Sequence, residues 1–278
     1  MKRQNKRLGQ VFLHDRNILR KIIDSADLDP SDTVIEIGCG DGILSVALAE
    51  RCKHLHIVEF DAYYLDKTRS LLEGKDNVSF HHCDALKFDF LEALRHRSMT
   101  EGTEGEITPF KMVANIPYQI SAKLLQKAVD FSHHCTGLSL LVQKEFALKC
   151  VGVPGTKAYT SLAVYLQFHF DIKLAFGVGR NCFYPVPEVD SAVITLTPRT
   201  PLPYTVNASY FDLVRGAFWG RRKTLKRCLI ENPYLSFEKT TLEQCPFLID
   251  NPLIRGETMS IDDFYQLYLD LGLGVKES

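Results

Sequence analysis

The sequence predicts a doubly wound α/β fold: a mostly parallel, seven-stranded sheet followed by a small C-terminal helical domain. Three observations predict it. Short apolar runs alternate with amphipathic stretches, which is the pattern of βαβ units and a parallel sheet. A glycine loop, Gly38-Cys39-Gly40-Asp41-Gly42, follows the first apolar run and opens a helix. Three prolines, Pro198, Pro201 and Pro203, then end the alternation, and the pattern beyond them is helical.

The elements follow in order. Asn17 to Ala26 places Ile18, Leu19, Ile22 and Ile23 on one face, so it reads as an amphipathic helix. Pro30-Ser31-Asp32 makes a turn, and Thr33 to Ile37 a buried strand. Ile43 to Arg51 is a helix, His54 to Glu59 the second strand, and Ala62 to Leu72 the next helix. Val78 to His82 is the third strand, and Asp84 closes it. Residues 97–109, polar and rich in Gly, Thr and Glu, form a surface excursion. Met112 to Ala114 and Leu138 to Val142 are strands with a helix, Ser121 to Phe131, between them. Lys157 to Gln167 reads as a helix, and Phe168 to Ala175 and Ser191 to Leu196 as the last two strands. The domain boundary falls near 199. Residues 1–198 form the α/β domain with a basic N-terminal arm. Residues 199–278 form the helical one, with Leu213, Ala217, Leu225 and Leu229 among its apolar positions.

A chain of 278 residues accommodates one α/β domain plus a small appendage. Apolar content of 45% and charged content of 24% are ordinary for a globular protein. No apolar run is long enough for a membrane helix, and residues 1–10 lack the apolar core of a secretion signal. The eight cysteines show no Cys-x-x-Cys pair, so they read as free thiols of a reducing, cytoplasmic compartment rather than metal ligands or disulfides. His81-His82 and His133-His134 are no metal pairs, since sequence neighbours point apart. Net charge is −1, yet Lys2, Arg3, Lys6 and Arg7 crowd one end. Arg221, Arg222, Lys223, Lys226 and Arg227 form a second basic run. Such runs hold a polyanion locally or are simply solvated.

The glycine loop is not a dinucleotide fingerprint. That motif needs glycine at 43, where this chain has Ile. Glu36 also stands two positions before Gly38, where it would repel a pyrophosphate and welcome an ammonium or sulfonium. The expected ligand is therefore S-adenosylmethionine. Glu59 ends the second strand, where a carboxylate can accept from both ribose hydroxyls; Asp84 can accept from an adenine amine.

Asn115-Ile116-Pro117-Tyr118 ends the fourth strand. The N6 amine of adenine is a poor nucleophile because its lone pair is delocalised into the ring. Two acceptors on its N–H bonds orient that lone pair toward a methyl donor. Asn115 offers a side-chain carbonyl, Ile116 and Pro117 offer backbone carbonyls, and Tyr118 a ring for an extruded base.

These motifs, together with Gly9-Gln10-Val11-Phe12-Leu13, Leu141-Val-Gln143-Lys-Glu145, the stretch Phe183 to Ser191 and Arg221-Arg-Lys-Thr-Leu225, make the chain closely similar to the ribosomal RNA adenine N6,N6-dimethyltransferases, in particular their small-subunit branch. The resemblance runs through nearly the whole chain. It implies a Rossmann-like, class I methyltransferase domain over 1–198 and an RNA-binding domain over 199–278. It implies that Val11, Leu13, Gly38, Glu59, Asp84 and Asn115 bind the cofactor. Asn115, Pro117, Tyr118 and Phe183 would form the catalytic pocket, with Phe183 opposite Tyr118 across the base. Arg221, Arg222 and Lys223 would grip RNA phosphates. The family carries Asn where this chain has Val11, so the family's side-chain contact is lost there and only a backbone contact could survive. The implied substrate is a pair of adjacent adenosines in a hairpin near the 3′ end of 16S rRNA, in the immature 30S subunit, each taking two methyls. The implied enzyme is a cytoplasmic monomer. DNA adenine methylation, the large-subunit rRNA branch and a non-catalytic assembly factor are the competing readings.

Overall fold

A computed structural model describes residues 11–95 and 106–274. The basic arm at 1–10 and the greater part of the excursion at 97–109 lie outside these residues. The strands are β1 (Phe12–Leu13), β2 (Thr33–Ile37), β3 (His54–Glu59), β4 (Val78–His82), β5 (Phe110–Asn115), β6 (Cys135–Gln143), β7 (Phe170–Val178), β8 (Phe183–Tyr184) and β9 (Ser191–Pro198).

Seven of them form one sheet in the order β4-β3-β2-β5-β6-β9-β7. The pairs β4/β3, β3/β2, β2/β5 and β5/β6 are parallel, and β6/β9 is antiparallel. The doubly wound sheet expected from the sequence is therefore present. All five residues of β2 are buried, as a strand covered on both faces requires. Strand order reverses between β2 and β5, so the loops after their carboxyl ends open a crevice there. β1 and β8 make a separate antiparallel ladder, pairing Phe12 with Tyr184 and Leu13 with Phe183. Nothing in the sequence pattern announced it.

The chain divides into two compact units. The first takes residues 1–147 and 171–198; the second takes 148–170 and 199–278. One division falls after Pro198, and Leu148–Phe170, which ends at the first residue of β7, is grouped with the second unit. Tyr159, Ala163, Val164 and Phe168 are buried in the same core as Tyr210, Leu213, Leu229, Phe264 and Tyr268. The Tyr159 hydroxyl donates to the Met259 carbonyl at 2.8 Å. The helix in this segment starts later than expected, at Ser161, because the Thr160 hydroxyl accepts from the Ala163 N–H and caps it. Among the described residues no helix is long and apolar enough to cross a membrane. All eight cysteines are free.

Candidate active site

The site lies in the first unit, at the carboxyl ends of β2, β3, β4 and β5. The glycine loop between β2 and the helix Ile43–Ala49 forms its floor. Gly38, Gly40 and Gly42 have φ of +77°, +50° and +82°, a region closed to most side chains. A Cβ on Gly40 would stand 3.0 Å from the Phe12 ring, so β1 lies tightly against a loop whose positive φ and close approach both favour glycine there. The Gly38 N–H donates to the Val58 carbonyl at 2.9 Å, which ties the loop to β3.

Glu59, at the end of β3, is 7% exposed. One of its oxygens accepts from the Asp61 N–H at 2.9 Å and the other from the Gly40 N–H at 3.4 Å. Glu36 on β2 is fully buried, and neither of its carboxyl oxygens has a hydrogen-bond partner. Burial pushes its carboxyl up to about 8. The Ser45 hydroxyl opposes the rise without reaching hydrogen-bonding geometry, and the Glu59 charge adds to it.

A cavity of about 100 Å³ is lined by Val11, Phe12, Leu13, Glu36, Gly38, Gly40, Glu59, Asn115, Ile116, Pro117 and Tyr118, among others. The lining holds acids but no lysine, arginine or histidine among the described residues, so it suits a cation and disfavours a phosphate. A neighbouring cavity of about 180 Å³ shares Gly38, Glu59 and Pro117 with it. It is lined by the apolar Val58, Phe60, Ala85 and Ile120 together with Asp84, a mixture that suits an apolar ring carrying a polar group. One Asp84 oxygen accepts from the Leu86 N–H at 2.9 Å, which fixes the carboxylate.

Asn115 ends β5 at the first cavity, and its Nδ2 donates to the Val11 carbonyl at 3.4 Å. The Ile116 N–H donates to the Leu141 carbonyl, and the Pro117 carbonyl accepts from the Ile120 N–H at 3.0 Å. The Pro117 carbonyl is thus taken up by the turn, which leaves the Ile116 carbonyl as the backbone acceptor at this corner. The Tyr118 hydroxyl sits 2.8 Å from Ser191 Oγ on β9. Burial raises the Tyr118 phenol and the Ser191 contact lowers it.

The structure brings together Val11, Leu13, Gly38, Glu59, Asn115, Pro117 and Tyr118, with Asp84 in the adjoining slot. It does not bring Phe183 to the lining. That ring is 1% exposed and packs in the core beside Phe12 and Leu13, while its neighbour Tyr184 is 54% exposed. Sequence reasoning missed Phe60 and Ile120, which carried no motif, and Ser191 as the partner of Tyr118.

In the second unit the three basic residues differ. Arg221 donates to Glu257 at 2.9 Å and to the backbone carbonyls of Lys157 and Thr156 at 2.8 and 3.3 Å. Lys223 is paired with Glu231, which also holds Arg227. Arg222 is exposed and has no such partner among the described residues.

A mostly parallel sheet with an acid-rimmed glycine turn at its switch point is the arrangement of a Rossmann-like, class I methyltransferase. The model of the family described as ribosomal RNA adenine dimethylase matches residues 1–259. The chain is 38% identical to ribosomal RNA small subunit methyltransferase A of Geobacter metallireducens, over 95% of this chain and 94% of that protein. It is 39% identical to the protein of the same name from Syntrophus aciditrophicus, over 94% and 92%. A crystal structure of a dimethyladenosine transferase from Plasmodium falciparum superposes with a TM-score of 0.77 at 26% identity, covering 95% of this chain and 99% of that one. A 23S rRNA methyltransferase, ErmE, shares the fold with a TM-score of 0.67 at 23% identity, over 94% and 99%. The chain belongs to the ribosomal RNA adenine dimethylase family.

Proposed function

We propose that this protein transfers methyl groups from S-adenosylmethionine to the N6 amines of two adjacent adenosines near the 3′ end of small-subunit rRNA, giving N6,N6-dimethyladenosine. The observation that carries the reading is the setting of Asn115. Its amide nitrogen is spent on the Val11 carbonyl, so its carbonyl oxygen is left to accept at the mouth of an acid-lined cavity.

The residues present fit the cofactor. The orphaned Glu36 carboxyl and the absence of basic lining among the described residues suit a cationic amino-acid end. Gly38 lets the ligand approach backbone, Glu59 retains lone pairs for ribose hydroxyls, and Asp84 rims the slot for the adenine. When bound, S-adenosylmethionine supplies a methyl group carried on a sulfonium.

The protein's own part is positioning. The Asn115 side-chain carbonyl and the Ile116 backbone carbonyl accept the two N–H bonds of the target amine and aim its lone pair. Tyr118, braced by Ser191, offers a ring on which the extruded base stacks. No strong base is needed, because the amine becomes acidic once it has bonded to the methyl, and its proton leaves to water. After the first methylation one N–H remains, so one of the two acceptors is released in the second round.

We assign methyl transfer to the first unit and RNA contact to the second, with Arg222 as the phosphate-facing member of its basic run. Eight free thiols support a cytoplasmic setting, with the immature 30S subunit as partner and the protein acting as a monomer. The test is incubation with labelled S-adenosylmethionine and unmethylated small subunits, followed by nucleoside analysis. Label is expected in N6,N6-dimethyladenosine; label confined to any other nucleoside overturns the assignment.

A further inference from the structure

The chain holds a single tryptophan, Trp219, and it is 49% exposed. It stands in the second unit, on the loop between the helices Ala208–Ala217 and Leu225–Glu231, three positions before Arg222. Water contact on so large a ring forgoes stabilisation that burial would bring. Its neighbour Tyr234 is 40% exposed, and the two rings meet edge to face with centroids 6.1 Å apart. An edge-to-face neighbour covers at most one face of the indole, so the other stays open. The Arg215 guanidinium lies 4.9 Å from the Tyr234 centroid and pairs with Asp212.

Backbone hydrogen bonds seat both rings. The Trp219 N–H donates to the Gly216 carbonyl at 3.1 Å, and the Lys223 N–H closes the next turn on the Gly220 carbonyl at 2.8 Å. The buried Asn232 accepts from the Tyr234 N–H at 2.9 Å through its side-chain oxygen. A ring placed in advance loses little freedom when a partner arrives.

Charge selects the partner. The loop at 218–224 carries Arg221, Arg222 and Lys223 and no acid. The acids Glu231 and Glu257 are taken up by Lys223, Arg227 and Arg221. Arg222 and, one turn further on, Lys226 are in no ion pair among the described residues. An open aromatic face on the same loop as an uncommitted arginine suits a polyanion with flat, unpaired rings. Single-stranded RNA is such a partner, whereas a duplex hides its rings in the stack.

We propose that Trp219 is a stacking platform for an unpaired base of the RNA, with Arg222 on a neighbouring phosphate. The proposal rests on the reading of the second unit as the RNA-contacting one, and it adds a base contact to a surface otherwise defined by charge alone. The loop then favours unpaired over duplex RNA.

As the only tryptophan, Trp219 reports on its own contacts through fluorescence. The full chain is titrated with a short dye-labelled oligoadenylate and with the adenylate–uridylate duplex of equal length. Dye anisotropy follows binding, and indole emission follows stacking. The single strand should quench the emission; the duplex should bind through its phosphates without quenching. Trp219→Leu, checked for folding by its thermal transition, should bind the single strand and unmethylated small subunits about tenfold more weakly, the scale of one lost stacked base. Its salt slope should match the wild type, because no phosphate contact is removed. Trp219→Phe keeps a ring and should stay within about threefold of the wild type. Binding of the single strand with unchanged indole emission overturns the proposal, as does Trp219→Leu binding within about twofold of the wild type. Weaker subunit binding by Trp219→Leu with no quenching by RNA would put a protein surface on the ring instead, and overturns it as well. If the wild type binds neither RNA nor subunits, the RNA assignment of the second unit falls, and the proposal with it.

Discussion

The side-chain nitrogen of Asn115 donates to the backbone carbonyl of Val11 at 3.4 Å, across 104 positions of sequence. This contact orients the carboxamide. It turns the nitrogen toward the residue before β1 and leaves the oxygen free of that contact. Position 11 contributes its backbone carbonyl here, which any side chain allows. Asn115→Ala should lower single-turnover methyl transfer at least a hundredfold, the scale of losing a preorganised acceptor. RNA affinity should stay within about twofold. Retained turnover would remove Asn115 from the chemistry.

Tyr118 and Ser191 share a hydrogen bond that holds the ring at the cavity mouth. Tyr118→Phe keeps the ring and loses the bond; Ser191→Ala loses it from the other side. Each should reduce kcat/KM by about fivefold, close to the 1 kcal/mol of a typical buried hydrogen bond. The double variant should be no worse than either alone. Additive losses in that cycle would mean the two hydroxyls act independently.

Glu59 connects β3 to the glycine loop through Gly40 and caps the next turn through Asp61. Glu59→Ala should raise the S-adenosylhomocysteine dissociation constant at least tenfold and leave RNA affinity unchanged. An unaltered dissociation constant in calorimetry would count against the ribose contact.

The basic run of the second unit divides in two. Arg221 is committed to Glu257 and to the carbonyls of Thr156 and Lys157. Arg221→Gln should therefore lower the Tm by about 2 °C and barely change the salt dependence of RNA binding. Arg222→Gln should do the reverse, reducing the salt slope by about 0.7–0.9 for the phosphate contact removed. If the two variants exchange these phenotypes, the division is wrong.

Three histidines meet on the β3/β4 face. His56 Nδ1 lies 3.1 Å from His81 Nε2, and the His54 and His56 rings are 4.7 Å apart. Burial, with the His54 and His81 charges, pushes His56 down to about 4. The unfolded chain therefore takes up a proton first as pH falls. The stability that neutral His56 contributes is complete above pH 6.5 and is lost between 6.5 and about 4, by up to about 1.4 kcal/mol per pH unit. His56→Gln should flatten the fall of Tm across that window. A wild-type Tm independent of pH between 7 and 5 would contradict this.

The sheet was legible because its strands are covered on both faces and so read as unbroken apolar runs, as in Thr33–Ile37. The glycine loop and Asn115-Ile-Pro-Tyr118 were legible because their chemistry demands particular residues at fixed spacing. The β1/β8 ladder was not, since two-residue strands carry no period to read. Leu148–Phe170 carries a good helical pattern, but a pattern shows which face is apolar and not which core will receive it. A run of arginines and lysines looks the same whether it grips phosphates or clasps its own backbone. Arg221 stands in such a run, and its partners are protein carbonyls and Glu257. Ser191 lies 73 positions from Tyr118, a pairing that only the antiparallel return of β9 beside β6 brings about. Phe183 was expected at the pocket because of its motif, whereas its ring packs in the core beside Leu13.

The central claim is that donor and acceptor meet at Asn115, above the acid-lined glycine turn. A crystal of this protein soaked with S-adenosylhomocysteine tests it most directly. The amino-acid end is expected beside Gly38 and Glu36, ribose hydroxyls on Glu59, the adenine in the Asp84 slot, and the sulfur facing Asn115. Density for the ligand at any site remote from Asn115 would contradict it.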